Sequence, residues 1–198
     1  MPKIDMQEYE AASSGSFKQL TPGSYVVSIM QVLDEFEEMD WDLHERVTRT
    51  AEKDKAVMFV FDIDEGEFAG EFSRDFYMED GKPAANKTWM HQMRYSWDNM
   101  ADFKRFNMVL EESNPGFDPL AAVQADKWQL FVGKKFGLVL NGTVSTSDNG
   151  YDKWTLRPGW KPYSVEDVRN GSTPAPRIKD KRTQEPALST DYYDDIPY

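Results

Sequence analysis

Aromatic rings and cationic side chains are interleaved in three stretches of the chain, a combination that suits contact with unpaired nucleotides. Rings stack on bases while cations neutralise phosphates, and each stacked base contributes about 1–3 kcal/mol. A charged segment nearer the N-terminus adds two arginines that could close over a strand, although a solvated loop is an equal alternative. The candidate contact residues are Arg46, Arg49, Arg74, Tyr77, Lys87, Trp89, Arg94, Tyr95, Lys153, Trp154, Arg157 and Trp160.

For any single ring, burial in the core is the competing interpretation, because aromatic side chains supply much of a protein core. Trp89, Tyr95 and Trp154 are the rings most expected at the surface, since polar or cationic residues surround them. The phenylalanines that lie in apolar patterns are expected to be buried. They are Phe59, Phe61, Phe103, Phe106 and Phe136.

The last eight residues combine a cluster of carboxylates with an apolar end. Pro197 fixes its own φ and restricts Ile196 to extended geometry, so the tip is stiff. Carboxylates steer a segment toward a basic rim, and the isoleucine and the terminal ring suit an apolar pocket. The segment is therefore predicted to bind a partner protein, and a plain acidic terminus is the alternative. The predicted contact residues are Asp191, Asp194, Asp195, Ile196, Pro197 and Tyr198.

This tip resembles the end of the bacterial single-stranded DNA-binding protein (SSB), which finishes Asp-Asp-Ile-Pro-Phe. Asp194, Asp195, Ile196 and Pro197 match, and Tyr198 stands where that family has phenylalanine. The exchange keeps the ring and adds a hydroxyl group. The resemblance implies that the partners are replication or recombination proteins with a pocket for the SSB tail.

Residue patterns typical of enzymes are weak. Neither His44 nor His91 has a second histidine or a cysteine at metal-ligand spacing. No Walker loop, nucleophile elbow or dinucleotide fingerprint is found. A carboxylate cluster could hold magnesium in a nuclease, but an acidic turn is the simpler interpretation. Its members are Asp62, Asp64, Glu65 and Glu67. We therefore expect no catalysis, no metal and no cofactor.

Hydrophobic periodicity predicts the elements that must position these residues. Five strands are expected, over residues 24–32, 56–63, 71–78, 131–140 and 151–157. In the first, Tyr25, Val27 and Ile29 share one face. The charged segment 34–54 reads as a long loop. A helix is expected after residue 96 and is stopped at residues 114–116. The stripe predicted for it is Met100, Phe103, Phe106, Val109 and Leu110.

This order predicts a mainly β fold, an OB-fold-like barrel of five strands with one helix between strands 3 and 4. Such barrels commonly bind ligands on the face of strands two and three. The predicted organisation is a flexible segment 1–19, the barrel domain 20–161, a disordered linker 162–190 and the partner-binding tip 191–198. A small basic cluster in the linker reads as ordinary solvation, with weak DNA affinity as the alternative. It comprises Arg177, Lys179, Lys181 and Arg182.

Residues 20–160 also resemble a family of small phage and integrative-element proteins thought to be single-stranded DNA-binding proteins of the OB type. The shared motifs are Tyr95-Ser96-Trp97, Phe103-Lys104-Arg105-Phe106, Glu111-Glu112-Ser113-Asn114-Pro115-Gly116-Phe117 and Val132-Gly133-Lys134-Lys135-Phe136-Gly137, with the strand opening Pro22-Gly23-Ser24-Tyr25. The resemblance implies a protein of phage DNA replication, recombination and repair that binds single-stranded DNA. SSB-like barrels often assemble, so the resemblance implies a homo-oligomer as an alternative to a single barrel.

Composition sets limits on these expectations. The chain has 198 residues, no cysteine and no apolar stretch long enough to span a bilayer, so we expect a soluble protein of the cytoplasm, that of a bacterial host if phage-encoded, without membrane contact. The net charge of −12 opposes general affinity for phosphates. It favours an alternative, an acidic interaction protein that mimics SSB or DNA to sequester host enzymes. The distribution of the charge decides between the two.

Overall fold

Ten strands and five short or medium helices make up the described part of the chain. The computed structural model describes residues 19–40, 42–72, 78–79, 82–83, 92–96, 100–146, 152–159 and 161–182. Its elements, in order, are β1 (Gly23–Leu33), β2 (Glu35–Asp40), β3 (Glu45–Thr50), α1 (Ala51–Asp54), β4 (Ala56–Ile63), β5 (Met78–Glu79), β6 (Lys82–Pro83), β7 (Gln92–Ser96), α2 (Met100–Ser113), α3 (Pro119–Gln124), a 3₁₀ helix (Trp128–Phe131), β8 (Lys135–Thr146), β9 (Asp152–Pro158), α4 (Val165–Arg169) and β10 (Ile178–Asp180).

Five of these strands form a nearly closed antiparallel barrel in the order β7-β4-β1-β8-β9. The long strand β1 pairs with β8 through its first half and with β4 through its second half, so it belongs to both sides of the barrel. The helices α2 and α3 and the 3₁₀ helix lie in sequence between the third and fourth barrel strands. The prediction of a mainly β fold with a five-stranded, OB-like barrel is confirmed.

An aromatic cluster fills the barrel. Phe59 lies at its centre, with ring-centroid distances of 5.0 Å to Phe106 and 5.5 Å to Phe131. All five phenylalanines predicted to be buried are buried, and so is the predicted face of β1 at Val27 and Ile29. The stripe of α2 is confirmed except at Met100, which is 60% exposed at the first residue of the helix.

The charged segment 34–54 was predicted to be a loop, and this prediction is wrong. It forms the β2–β3 hairpin and α1. Phe36 is buried against Ala56 and Met58 on the outer face of β4. One buried ring and the β-branched residues of β3 are sufficient for a two-stranded ribbon that leans on a larger sheet. The high charge of this segment obscured the strand signal.

The third barrel strand was predicted at residues 71–78, but the strand that pairs with β4 is β7. Glu71 and Phe72 lie in a turn, and residues 73–77 lie outside the described part of the chain. The buried carboxylate of Asp62 accepts hydrogen bonds from the backbone amides of Ile63 (2.7 Å) and Phe72 (3.0 Å). These bonds fix the described residues 62–72 in a turn directly after β4.

The prediction of a disordered linker from residue 162 is wrong as far as residue 182. Helix α4 begins with a capping box between Ser164 and Asp167, and Val165 is buried. The helix packs on the outer face of β1 and β8. Beyond it, β10 pairs in parallel with β8, Ile178 opposite Gly142. Composition indicated too few apolar residues for a separate core, but this segment packs on one that already exists.

Gly137 makes room for α4, which leads to a prediction. A Cβ atom there would lie 2.5 Å from Cγ2 of Val168 and 2.8 Å from the carbonyl oxygen of Ser164. We expect Gly137→Ala to lower the free energy of unfolding by about 1–3 kcal/mol, because overpacking forces the helix away from the sheet. Urea unfolding measures the loss. Thr143→Ala, at a half-buried position on the same strand, is the control. Equal stability of the two variants would contradict the close packing of α4.

Candidate nucleic-acid interface

The outer face of β4 and β7, where an OB-type barrel commonly binds its ligand, is largely covered at β4. Ala56 and Met58 are buried there under Phe36, and Leu33 packs against the same cluster. Arg94, a predicted contact residue, is exposed on β7 in register with Met58. In the part of this face that the structure describes, Arg94 therefore lies beside β4 residues that Phe36 covers, and no aromatic ring is exposed.

The two arginines predicted to close over a strand are engaged with carboxylates of their own segment. Arg46 lies 3.9 Å from Glu37, with both side chains half exposed. Arg49 pairs with Asp54 at 3.3 Å. The Thr50 amide donates to that carboxylate, and this bond, with Arg49, lowers the pKa of Asp54. Arg49 therefore ties β3 to α1 and is not a side chain in open solution.

Tyr95 was predicted to stack on a base, and this prediction is wrong. Its ring is 5% exposed and stacks on Phe106, with centroids 4.4 Å apart and planes at 13°. The polar neighbours that favoured exposure lie at the adjacent positions, including Arg94. In a strand, adjacent side chains point to opposite faces. Polar neighbours therefore favour burial of the residue between them once the segment is a strand.

The hydroxyl group of Tyr95 leads to a second prediction. Its oxygen is buried and has no hydrogen-bond partner within the described ranges. We expect Tyr95→Phe to raise the free energy of unfolding by about 1 kcal/mol, because an unsatisfied buried polar group is removed. Burial also raises the pKa of Tyr95, so the wild type loses stability as pH rises above about 10, the ordinary value for tyrosine. The variant should lack this part of the alkaline loss.

Urea unfolding at neutral and alkaline pH checks both parts of the prediction. Tyr25→Phe is the matched control, because the hydroxyl of Tyr25 donates to the carbonyl of Thr21 at 2.7 Å. This control should lose stability or leave it unchanged. A Tyr95→Phe variant less stable than the wild type would show that the phenol has a partner after all.

A basic surface lies on the other side of the barrel, where β8 runs between β9 and β10. In register across these strands, Thr155 of β9 and Lys179 of β10 flank Thr143 of β8. Opposed residues in neighbouring strands share one face. One step along, Arg157 lies opposite Asn141, whose side-chain oxygen accepts from the amide of Arg177 at 2.8 Å. We call this outward surface the basic face. Its cationic residues are Lys153, Arg157, Arg177, Lys179 and Lys181, all exposed.

None of the three strands β8, β9 and β10 places a carboxylate on the basic face. The two acidic residues of β9 and β10, Asp152 and Asp180, have the opposite parity and pair with Arg182. Arg182 lies 2.8 Å from Asp152, and its hydrogen bonds to Asp180 lower the pKa of that carboxyl to about 2. Within the described ranges, Lys153, Lys179 and Lys181 form no ion pair. Their charges therefore face solvent without a local counter-charge.

Of the described residues that were predicted from the sequence to contact nucleic acid, two lie on the basic face and the others do not. Lys153 and Arg157 lie on it. Trp154, between them, is half buried and points to the opposite side, where its ring packs against Gly142 and the core. Its exposure is therefore only partial, and the cause is the same strand alternation that buries Tyr95. Outside the described residues lie Arg74, Tyr77, Lys87, Trp89, Trp160 and the whole tip, Asp191, Asp194, Asp195, Ile196, Pro197 and Tyr198.

Sequence reasoning assigned Arg177, Lys179 and Lys181 to linker solvation and so missed their place beside β8, on the side opposite β9. The available signal was their spacing of two residues, which is that of side chains on one face of a strand.

The carboxylate cluster considered for magnesium is dispersed among structural roles. Asp62 is buried and accepts amide hydrogen bonds, as described above. Glu65 pairs with Arg169 of α4, which lowers the pKa of Glu65, and Lys135 lies 3.7 Å from the same carboxylate. No group of three or more histidine, aspartate or glutamate side chains within the described ranges is placed to hold a metal ion.

Comparisons with known proteins do not point to a function, so any proposal has to be argued from the geometry described above. Family models, curated proteins and solved structures give no match to the chain. Among the described helices, none is long and apolar enough to cross a membrane. The feature that can support a function is therefore the basic face, because it concentrates exposed cations on a barrel whose chain is acidic as a whole.

Proposed function

We propose that the chain is a single-stranded DNA-binding protein of phage replication, recombination and repair, acting without catalysis in the cytoplasm of a bacterial host. The observation that carries the proposal is the basic face. A chain of net charge −12 nevertheless presents an exposed surface that holds cations and no carboxylate from its three strands. Segregation of charge on this scale favours a polyanionic ligand, since the attraction of phosphates depends on local cations.

The shape of the basic face favours a single strand over a duplex. It is the surface of three adjacent strands, and its β8 residues have short polar side chains, Asn141, Thr143 and Ser145. The major groove of a duplex is read by a protruding helix or ribbon. Helix α4, which contacts β8, has five residues and buries Val165. A flexible single strand can follow such a surface with its phosphates.

The acidic tip supports a second half of the proposal, recruitment of partner proteins. Asp191 follows Asp180 of β10 by eleven residues, so a partner bound at the tip is tethered close to the DNA. Tethering raises the effective concentration of the partner near its substrate, and a weak contact at Ile196 and Tyr198 is then sufficient. Because the tip resembles the end of SSB, it would bind replication and recombination proteins of the host that have a pocket for the SSB tail.

Fluorescence anisotropy with a labelled oligo(dT) tests the DNA-binding half. We expect binding at low salt, weaker binding as salt rises, and lower affinity for a duplex of the same length. No binding at low salt, or equal affinity for the duplex, would overturn the proposal. The first of these results would favour the alternative suggested by the net charge, an acidic interaction protein that sequesters host enzymes by mimicking SSB or DNA.

A further inference from the structure

We propose that β10, a strand outside the five-stranded barrel, supplies with its two flanking residues three of the five cations of the phosphate-binding surface. The inference rests on the proposed function, and it goes further by assigning contact residues to a segment whose composition indicates only a linker. These residues are Arg177, Lys179 and Lys181, which complete a surface begun by Lys153 and Arg157 on β9.

The first step is the placement of β10 by backbone hydrogen bonds. The amide of Gly142 donates to the carbonyl of Arg177 at 3.0 Å, and the amide of Lys181 donates to the carbonyl of Val144 at 2.9 Å. These two bonds bracket the strand. They hold positions 177, 179 and 181 on the face that Asn141, Thr143 and Ser145 share.

The second step is the size of the surface. Lys153 and Arg157 are four residues apart on β9, a span of about 13 Å at a rise of about 3.3 Å per residue. The strands β9 and β10 lie on either side of β8, about 10 Å apart at the usual strand spacing. Cations therefore border a shallow polar strip on both sides. A sugar–phosphate chain laid along this strip meets positive charge from two strands at once.

The third step is the anchoring of β10 at its C-terminal end. Arg182 bridges Asp180 of β10 and Asp152 of β9. The bridge joins the two outer strands across the end of β8. It also removes both local carboxylates from competition with phosphates, since each is bound to Arg182. The chain that leads into β10 is held as well, because the hydroxyl groups of Thr173 and Ser24 lie 2.6 Å apart.

The expected consequence is a defined dependence on salt. Five cations that each neutralise one phosphate of a single strand give a slope of log K against log salt of about −3.5. Removing two of them should make the slope shallower by about 1.4 and weaken binding about 25-fold at about 0.1 M salt.

The experiment compares two double variants of the full chain in oligo(dT) anisotropy over a range of salt. Lys179→Gln with Lys181→Gln removes one cation of β10 and one that directly follows it. The control, Lys104→Gln with Lys127→Gln, removes two exposed lysines from α2 and from the residue before the 3₁₀ helix. Both variants change the net charge from −12 to −14. Thermal unfolding of both double variants checks that they retain the fold, which we expect because the substituted side chains are exposed.

We expect the β10 variant to lose the stated affinity and slope while the control stays within about twofold of the wild type, because long-range charge alone is screened beyond about 10 Å at 0.1 M salt. Equal loss in both variants, or no loss in either, would overturn the role of β10 and leave the proposed function standing. Failure of the wild type to bind oligo(dT) would instead overturn the proposed function itself, and the inference with it.

Discussion

Replacement of Phe59 by alanine is expected to lower the free energy of unfolding by about 3–5 kcal/mol, the usual range for a buried phenylalanine. Phe59 is fully buried on β4, and its ring contacts those of Tyr95, Phe106, Trp128 and Phe131. These rings come from β7, α2 and the 3₁₀ helix. The cavity would therefore open where the helices meet the sheet, and rigid neighbouring rings are poorly able to fill it.

Urea unfolding followed by tryptophan fluorescence measures this loss. Phe68→Ala is the matched control, because Phe68 is half buried and its ring contact is an edge interaction with Tyr25 at 6.3 Å. The same ring is removed in both variants, so the difference between them isolates the packing at the centre of the barrel. A loss of less than about 1 kcal/mol for Phe59→Ala would contradict the arrangement of the core.

Deletion of residues 191–198 should abolish capture of a purified bacterial enzyme that has a pocket for the SSB tail. The reason is that the deletion removes the carboxylates and the apolar end together. Affinity for oligo(dT) should stay unchanged or rise slightly, because an acidic segment competes with phosphates for the basic face. A pull-down with the immobilised enzyme and a parallel anisotropy titration separate the two effects.

Tyr198→Phe is the control for that deletion, since it restores the residue found at the end of SSB and removes only a hydroxyl group. Capture by this variant should equal or exceed that of the wild type. Capture that survives the deletion would show that the resemblance of the tip does not reflect its function. Loss of oligo(dT) binding in the deletion variant would show that the tip serves the DNA site directly.

Local pattern was sufficient for much of the barrel. The alternation in β1, the continuous apolar run of β4, the helical stripe of α2 and the polar–apolar alternation of β9 each reflect packing against one core, and each was predicted near its true position. Such patterns are set by neighbours in sequence, so a single chain reveals them. Two rings that were expected at the surface, the buried Tyr95 and the half-buried Trp154, follow the same rule, because strand alternation outweighs the polarity of adjacent residues.

The basic face could not be predicted in the same way. Lys153 and Arg157 were identified from their residue types. The other three cations, Arg177, Lys179 and Lys181, reach the basic face only because β10 pairs with β8, about 35 residues earlier in the chain. A strand of three residues has no hydrophobic face of its own. It becomes a strand because β8 extends past β1 and offers unpaired backbone groups, and satisfying such groups stabilises any segment that reaches them.

The sequence by itself determined the mainly β class, the barrel strands that bury every second residue, the burial of the phenylalanines and the presence of an acidic, apolar tip, because these depend on residue types at short spacing. Tertiary structure alone decided that β7 follows β4 in the barrel, that the charged hairpin covers β4, and that α4 and β10 pack on β8. Those outcomes depend on contacts between distant residues, whose register is fixed only when the whole sheet has formed.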